Sequence, residues 1–279
     1  MRLFVFGMGY TAQVLAGQLR ADGFDVRGTG RAGSVAFDDH AAVLAELGAA
    51  SHVLSSVPPG RDGDDPVLTT YGAALAAAPA RWIGYLSSTG VYGDTGGAWV
   101  DESAEVGSGR RTARAAADLA WQALGARVFR LPGIYGPGRS ALDRVRAGAA
   151  HRIALEGQVF SRVHVADIAA GVIAGMSGPA GVYNLSDDEP TSQNTVIEEA
   201  ARLLGVPPPP LLSLEEAALS PMARAFYAEN RRVANGRAKR LLGWRPRYPT
   251  YREGLRALSA TISPIIASAA PEPASSDQR

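Results

Sequence analysis

The sequence predicts a doubly wound α/β fold: a parallel sheet covered by helices on both faces, with a smaller C-terminal lobe. Three observations carry this. The chain opens on an apolar run, Leu3-Phe4-Val5-Phe6, that passes through a glycine-bearing turn into a helical pattern. Further strand-length apolar runs then alternate with helix-length amphipathic stretches as far as Leu131. Beyond Pro132 the units become shorter and mixed, which separates a second region from the regular first one.

The elements follow in order. Strand one is Arg2 to Phe6, and the helix after it runs from Tyr10 to Arg20 with Val14, Leu15 and Leu19 on its apolar side. Gly23 ends that helix, and Phe24 to Thr29 is strand two. Ser34 to Phe37 reads as a short strand and Ala41 to Leu47 as a helix. His52 to Val57 is a strand stopped by Pro58-Pro59, Pro66 to Ala77 a helix, and Trp82 to Ser87 a strand. A Gly-rich loop, an Ala-rich helix from Arg110 to Leu124 and a strand from Arg127 to Leu131 complete this part. The second part reads as helix near Ala141 to Ala147, strand Val159 to Val165, helix Ile168 to Met176 with Asp167 as its cap, strand Val182 to Leu185, and helix Thr195 to Leu204. Pro207 to Pro210 is a stiff spacer. The expected division is a dinucleotide-binding core over 1–135, a substrate lobe over 136–262 that returns to the core, and a disordered Pro/Ala/Ser-rich tail over 263–279.

Composition narrows the function. With 28 basic and 27 acidic residues the net charge is +1, and the arginines are scattered, so no nucleic-acid partner is expected. The chain has no cysteine, which excludes disulfides and thiolate metal sites, and His40, His52, His151 and His164 are too dispersed for a metal motif. No export signal and no membrane span are read from the sequence, so the expectation is a cytoplasmic protein.

The turn after strand one reads Gly7-Met8-Gly9-Tyr10-Thr11-Ala12, a G-x-G-x-x-A string. Gly7 permits the tight turn, Gly9 lets backbone approach a pyrophosphate, and Ala12 lets helix pack on sheet. The helix start, with Tyr10 and Thr11, then offers free N–H groups and a positive dipole end. The alternative is a plain strand-to-helix turn, which has no need of two glycines at this spacing. Strand two ends Arg27-Gly28-Thr29-Gly30-Arg31 without the carboxylate that reads a ribose hydroxyl. Arg31, with Ser34 as a helper, suits a 2′-phosphate, which favours NADP; NAD, with Arg31 a solvated loop residue, is the alternative.

Four further segments appear in register: Leu86-Ser87-Ser88-Thr89-Gly90-Val91-Tyr92-Gly93, Leu131-Pro132-Gly133-Ile134-Tyr135-Gly136-Pro137-Gly138, Arg162-Val163-His164-Val165-Ala166-Asp167 and Leu241-Leu242-Gly243-Trp244-Arg245-Pro246. With the Gly7–Ala12 turn, the set resembles the extended short-chain dehydrogenase/reductases, the NAD-dependent epimerase/dehydratase family, in an atypical branch. The resemblance covers residues 1 to 258. It implies a Rossmann-type fold, a nicotinamide cofactor and a small-molecule substrate held between core and lobe, with a homodimer left open. It also implies that Ser88 is the hydroxyl that polarises the substrate, that Ser55, Ser56 and Val57 lie along the cofactor, and that Pro132 and Gly133 turn near the nicotinamide.

Two departures stand against that pattern. Where the family carries Tyr-x-x-x-Lys, this chain has Arg110 and Arg114. Arginine stays protonated at any working pH, so neither can be a general base. Arg114 is left either to hold the ribose or to pair with Asp118 one helical turn on. If hydride chemistry survives, Tyr92, followed by Asp94, is the nearest replacement for the lost tyrosine. The second departure is Phe160, at the place of the arginine that nucleotide-sugar members use for the diphosphate; Arg162 is displaced by two. His164 reads as structural. Two functions follow: an oxidoreductase or epimerase-like enzyme on a small polar metabolite, drawing on Ser88, Arg139, Arg162 and Arg231 or Arg232, or a non-catalytic cofactor sensor.

Overall fold

The architecture comes from a computed structural model that describes residues 1–60, 63–109 and 112–261. The first half runs β1 (Arg2–Phe6), α1 (Tyr10–Ala21), β2 (Asp25–Gly28), α2 (His40–Ala49), β3 (His52–Ser55), α3 (Pro66–Ala77), β4 (Trp82–Ser88), a 3-10 turn (Thr89–Tyr92), β5 (Trp99–Val100), α4 (Thr112–Ala123) and β6 (Arg127–Leu131). The second half runs β7 (Gly133–Tyr135), α5 (Ala141–Arg146), β8 (Arg152–Ile153), β9 (Arg162–His164), α6 (Val165–Ser177), β10 (Val182–Asn184), α7 (Gln193–Leu204), β11 (Leu211–Leu212), α8 (Pro221–Phe226), β12 (Arg232–Val233), α9 (Gly236–Leu241) and α10 (Tyr251–Ser259).

Six strands form one parallel sheet in the order β10-β6-β4-β3-β1-β2. The chain moves outward from β1 to β2, then jumps back across β1 to β3. That reversal opens a crevice at the C-terminal ends of β1 and β3, where ligands of such sheets bind. Burial of both faces explains the unbroken apolar strands. Leu3, Val5, Leu15, Leu19, Ile168 and Val172 form the core under α1 and α6, while Phe4, Phe6, Val43, Tyr71 and Trp121 form the one under α2, α3 and α4. A separate cluster of Tyr135, Leu142, Val196, Tyr251 and Leu255 joins α5, α7 and α10. Ala238 and Trp244 pack into the α1–α6 core, and Trp244 Nε1 donates to the Asp167 carbonyl at 3.1 Å.

Two local expectations are corrected. Ser34–Phe37 is not a strand; one bridge, Thr29 to Val35, is all that forms there, because Ser34 and Val35 N–H groups turn back to the Gly28 carbonyl. Asp167 does not cap α6. His164 does, its Nδ1 accepting the Ala166 N–H at 3.2 Å, and Asp167 inside the first turn accepts the N–H groups of Arg247 and Tyr248 instead. No described helix is long and apolar enough to cross a membrane. The tail expected over 263–279 lies outside the described residues.

Candidate active site

The turn after β1 is built from glycine, two hydroxyls and backbone. Gly7 has φ +86°, and a Cβ there would lie 2.9 Å from Val57 Cγ2 and 3.1 Å from Ser56 Oγ, so no other residue fits. Thr29 Oγ1 accepts the Gly7 N–H at 3.1 Å, the Thr29 carbonyl accepts that of Met8 at 2.7 Å, and Ser56 Oγ donates to the Gly7 carbonyl at 2.5 Å. Gly9 is the N-cap of α1. It provides no capping side chain, the first turn holds no acid, and a Cβ on Gly9 would meet nothing within 4 Å. The positive end of α1 therefore faces open space, which fits a phosphate group. Ala12 is buried against the sheet.

That space is one end of a cleft of about 580 Å³. Gly9, Tyr10, Thr11 and Ser56 stand at this end, Ser88, Arg114, Pro132 and Gly133 farther along, and Phe160, Phe226, Glu229 and Arg231 form the facing wall. Tyr10 donates from its hydroxyl to the Pro137 carbonyl at 3.1 Å. Of the residues expected at the cofactor, Gly7, Thr29 and Val57 shape the turn rather than line the cleft, and Ser55, the last residue of β3, is fully buried with its Oγ accepting the Val57 N–H at 3.4 Å. Arg31 is exposed beyond the β2 end, and Ser34 Oγ is turned to the Gly28 N–H.

Ser88 ends β4 and caps the 3-10 turn, its Oγ accepting the Gly90 N–H at 3.1 Å while its own proton is left for the cleft. Arg114 reaches the cleft from α4 and donates to the Tyr85 hydroxyl at 3.3 Å, whose pKa burial pushes up to about 12. It does not pair with Asp118. That carboxylate is fully buried and held by Arg130 Nη2 at 2.7 Å, Ser87 Oγ at 2.5 Å and Gln122 Nε2 at 2.7 Å. Arg110 lies outside the described residues.

Tyr92, named as the replacement proton donor, does not line the cleft. Its ring is buried behind the 3-10 turn, the hydroxyl donating to Asn184 Oδ1 at 2.8 Å and accepting from Arg130 at 3.0 Å. Burial drives its pKa upward. Asp94 accepts backbone N–H groups of Asn230 and Gly96, which holds its pKa down and ties two loops together. Among the arginines expected at the substrate, Arg139 and Arg231 line the cleft; Arg162 is buried behind it and Arg232 is bound to the Gly97 carbonyl. Arg231 is neutralised by Glu229 at 2.9 Å. His164 is enclosed by Tyr135 and Tyr248, and burial first, then Arg247, pushes its pKa down to about 4. Sequence reasoning missed Phe226, Glu229 and the pairing of Asp118 with Arg130, which spans α4 and β6 and leaves no local signal.

No protein-family model matches the chain. A 3-diazoavenalumate denitrifying reductase from a Streptomyces species is 31% identical, over 91% of this chain and 99% of that protein. Among solved structures, a functionally unknown conserved protein from Silicibacter pomeroyi is 45% identical, with TM-score 0.83 over 93% of this chain and 98% of that one. A human epimerase family protein, SDR39U1, crystallised with NADPH, shares the fold at TM-score 0.74 and 18% identity, over 94% of this chain and 100% of that one. Sequence motifs, parallel sheet, switch-point cleft and these relatives agree: the chain belongs to the NAD-dependent epimerase/dehydratase family of extended short-chain dehydrogenases/reductases.

Proposed function

We propose that the cleft binds a nicotinamide dinucleotide, NADP(H) in preference to NAD(H), and that the protein is an oxidoreductase acting on a small molecule. The observation that carries this is the uncapped, acid-free start of α1 opening into a cleft that Ser88 also lines. The related reductase and the NADPH-bound neighbour support it. In this reading residues 1–135 bind the dinucleotide and the segments after 136 shape the substrate site.

A bound nicotinamide supplies or accepts the hydride. The rest falls to the chain. Tyr10 and Thr11 would hold the pyrophosphate through backbone N–H groups, beside Gly9, whose own N–H donates to the Gly7 carbonyl at 2.8 Å. Ser88 donates its proton to the substrate atom that becomes electron-rich, since its oxygen is already fixed by Gly90. Arg114 adds a fixed positive charge beside Ser88 and cannot exchange a proton. The proton therefore reaches the substrate from solvent by way of Ser88. The absence of an acid at the β2 end and the exposed Arg31 favour a 2′-phosphate.

Calorimetric titration with NADPH and NADH tests this. Tighter binding of NADPH is expected, with Arg31→Ala losing about tenfold on NADPH and little on NADH. Equal affinities in the unaltered protein would remove the preference, and no binding of either would remove the function. The sensor reading is favoured by one observation, that Arg114 is partly spent on the buried Tyr85 hydroxyl. Tight cofactor binding without turnover on any carbonyl, imine or diazo compound would select it.

A further inference from the structure

A second cavity of about 560 Å³ adjoins the cleft and shares Gly133, Ile134, Arg139, Phe160, Ser161 and Phe226 with it. The cluster of α5, α7 and α10 forms its far side. Ile134, Val196, Tyr251 and Leu255 make the wall apolar. Several of its polar groups are engaged: Asp143 accepts from Ser140, Arg144 donates to the Ala149 carbonyl, and the buried Arg162 donates through Nη2 to the Thr191 carbonyl while its Nη1 has no partner among the described residues.

Two features at the junction are not accounted for by folding. Phe226 stacks on Phe160 with ring centroids 4.4 Å apart and planes 6° apart, yet 45% of its surface is exposed. A large ring held flat and left uncovered at the mouth of two cavities is a stacking surface awaiting a partner. Arg139 stands beside it, exposed, its guanidinium over the Tyr10 ring at 5.8 Å, and it makes no ion pair among the described residues. Arg231, across the cleft, already has Glu229. The junction thus presents one planar apolar face beside the Arg139 guanidinium, which matches a flat apolar body bearing a carboxylate.

We propose that the substrate is an aromatic or conjugated monocarboxylate, its flat body against Phe226 and reaching the second cavity, its carboxylate on Arg139. This rests on the reading that the dinucleotide occupies the cleft beside Ser88, from which a ligand at the junction is within reach of both.

The test titrates the full chain with cinnamate, 4-hydroxycinnamate, cinnamamide and UDP, each with and without saturating NADP⁺. NADP⁺ is titrated separately. The two acids are expected to bind about tenfold more tightly than the neutral amide, and Arg139→Gln to erase that difference while leaving the amide unchanged. Phe226→Ala should weaken acids and amide alike by severalfold. Both side chains are solvent-exposed, so each variant is expected to keep the parent circular dichroism spectrum. Acids no tighter than the amide, acids unaffected by Arg139→Gln, or UDP binding more tightly than the acids would overturn the assignment. Absence of NADP⁺ binding would defeat the dinucleotide reading instead, and the acid titrations without cofactor still decide the junction.

Discussion

The two walls of the cleft are made in different ways. One is a continuous stretch of chain, Gly9 to Thr11, in which backbone N–H groups and a missing side chain do the work. The other is assembled from Arg139, Phe160, Phe226, Glu229 and Arg231, which come from four separate loops and short elements and act through their side chains. The contrast extends to helix starts. α5 and α10 are closed by capping boxes, Ser140 with Asp143 and Thr250 with Glu253, whereas α1 has no side chain over its end. A wall that recognises through backbone constrains residue size and spacing. A wall that recognises through side chains is free to change chemistry while the fold stays constant, and Phe160 illustrates that freedom.

The largest effect is expected where the backbone wall is filled. Gly9→Val should fold normally, because φ −80° suits any residue and a Cβ meets nothing within 4 Å. It should nevertheless lose roughly a hundredfold or more in NADPH affinity, since the branched side chain takes the pyrophosphate's place. Calorimetry beside circular dichroism checks both halves; a folded variant that binds normally would mean that this wall does not face the cofactor.

A smaller but still severe effect is expected beneath the cleft. Asp118→Ala leaves Arg130, 2% exposed, without its carboxylate and releases Ser87 next to Ser88. Breaking such a buried pair typically costs about 3–5 kcal/mol. Chemical denaturation should show that loss, and an unchanged midpoint would mean the pair contributes nothing to holding α4 against β6.

The mildest prediction concerns acid, behind the side-chain wall. His164 is held neutral, its pKa near 4 against about 6.5 in the unfolded chain. Between those values the unfolded chain binds a proton that the folded protein refuses. Stability therefore falls as pH drops from about 6.5 towards 4. Asp187, whose pKa burial raises to about 8, slopes the opposite way, so the comparison is between variants. His164→Asn keeps an acceptor for the Ala166 N–H and should show a flatter decline in Tm below pH 6.5. Equal slopes would show that His164 protonates freely.

Most of the sheet and the cofactor end of the cleft were legible in sequence, because both rest on short-range rules: unbroken apolar runs for strands buried on two faces, and glycines wherever a side chain cannot fit. Ser88 was legible for a similar reason, as a strand-ending hydroxyl in a recognisable segment. The errors fell where neighbours in space are strangers in sequence. Arg114 and Asp118 sit one helical turn apart and look like a pair, yet Arg130 outcompetes Arg114 because its guanidinium grips the buried carboxylate with two parallel bonds. Tyr92 lies in the right motif but points into the protein, because Asn184 on β10 satisfies its hydroxyl there.

Residue type and spacing alone determined the doubly wound class, the turn that leaves the start of α1 open, and the loss of a titratable pair at Arg110 and Arg114. These follow from local sterics and from the fixed charge of arginine, which no packing alters. Tertiary structure alone decided which arginine grips Asp118, which partners the Tyr92 hydroxyl meets, and that Phe226 would come to rest, still exposed, on Phe160. Such choices depend on which partner a side chain meets at the right distance and angle across the fold, and distance in the chain carries no record of that.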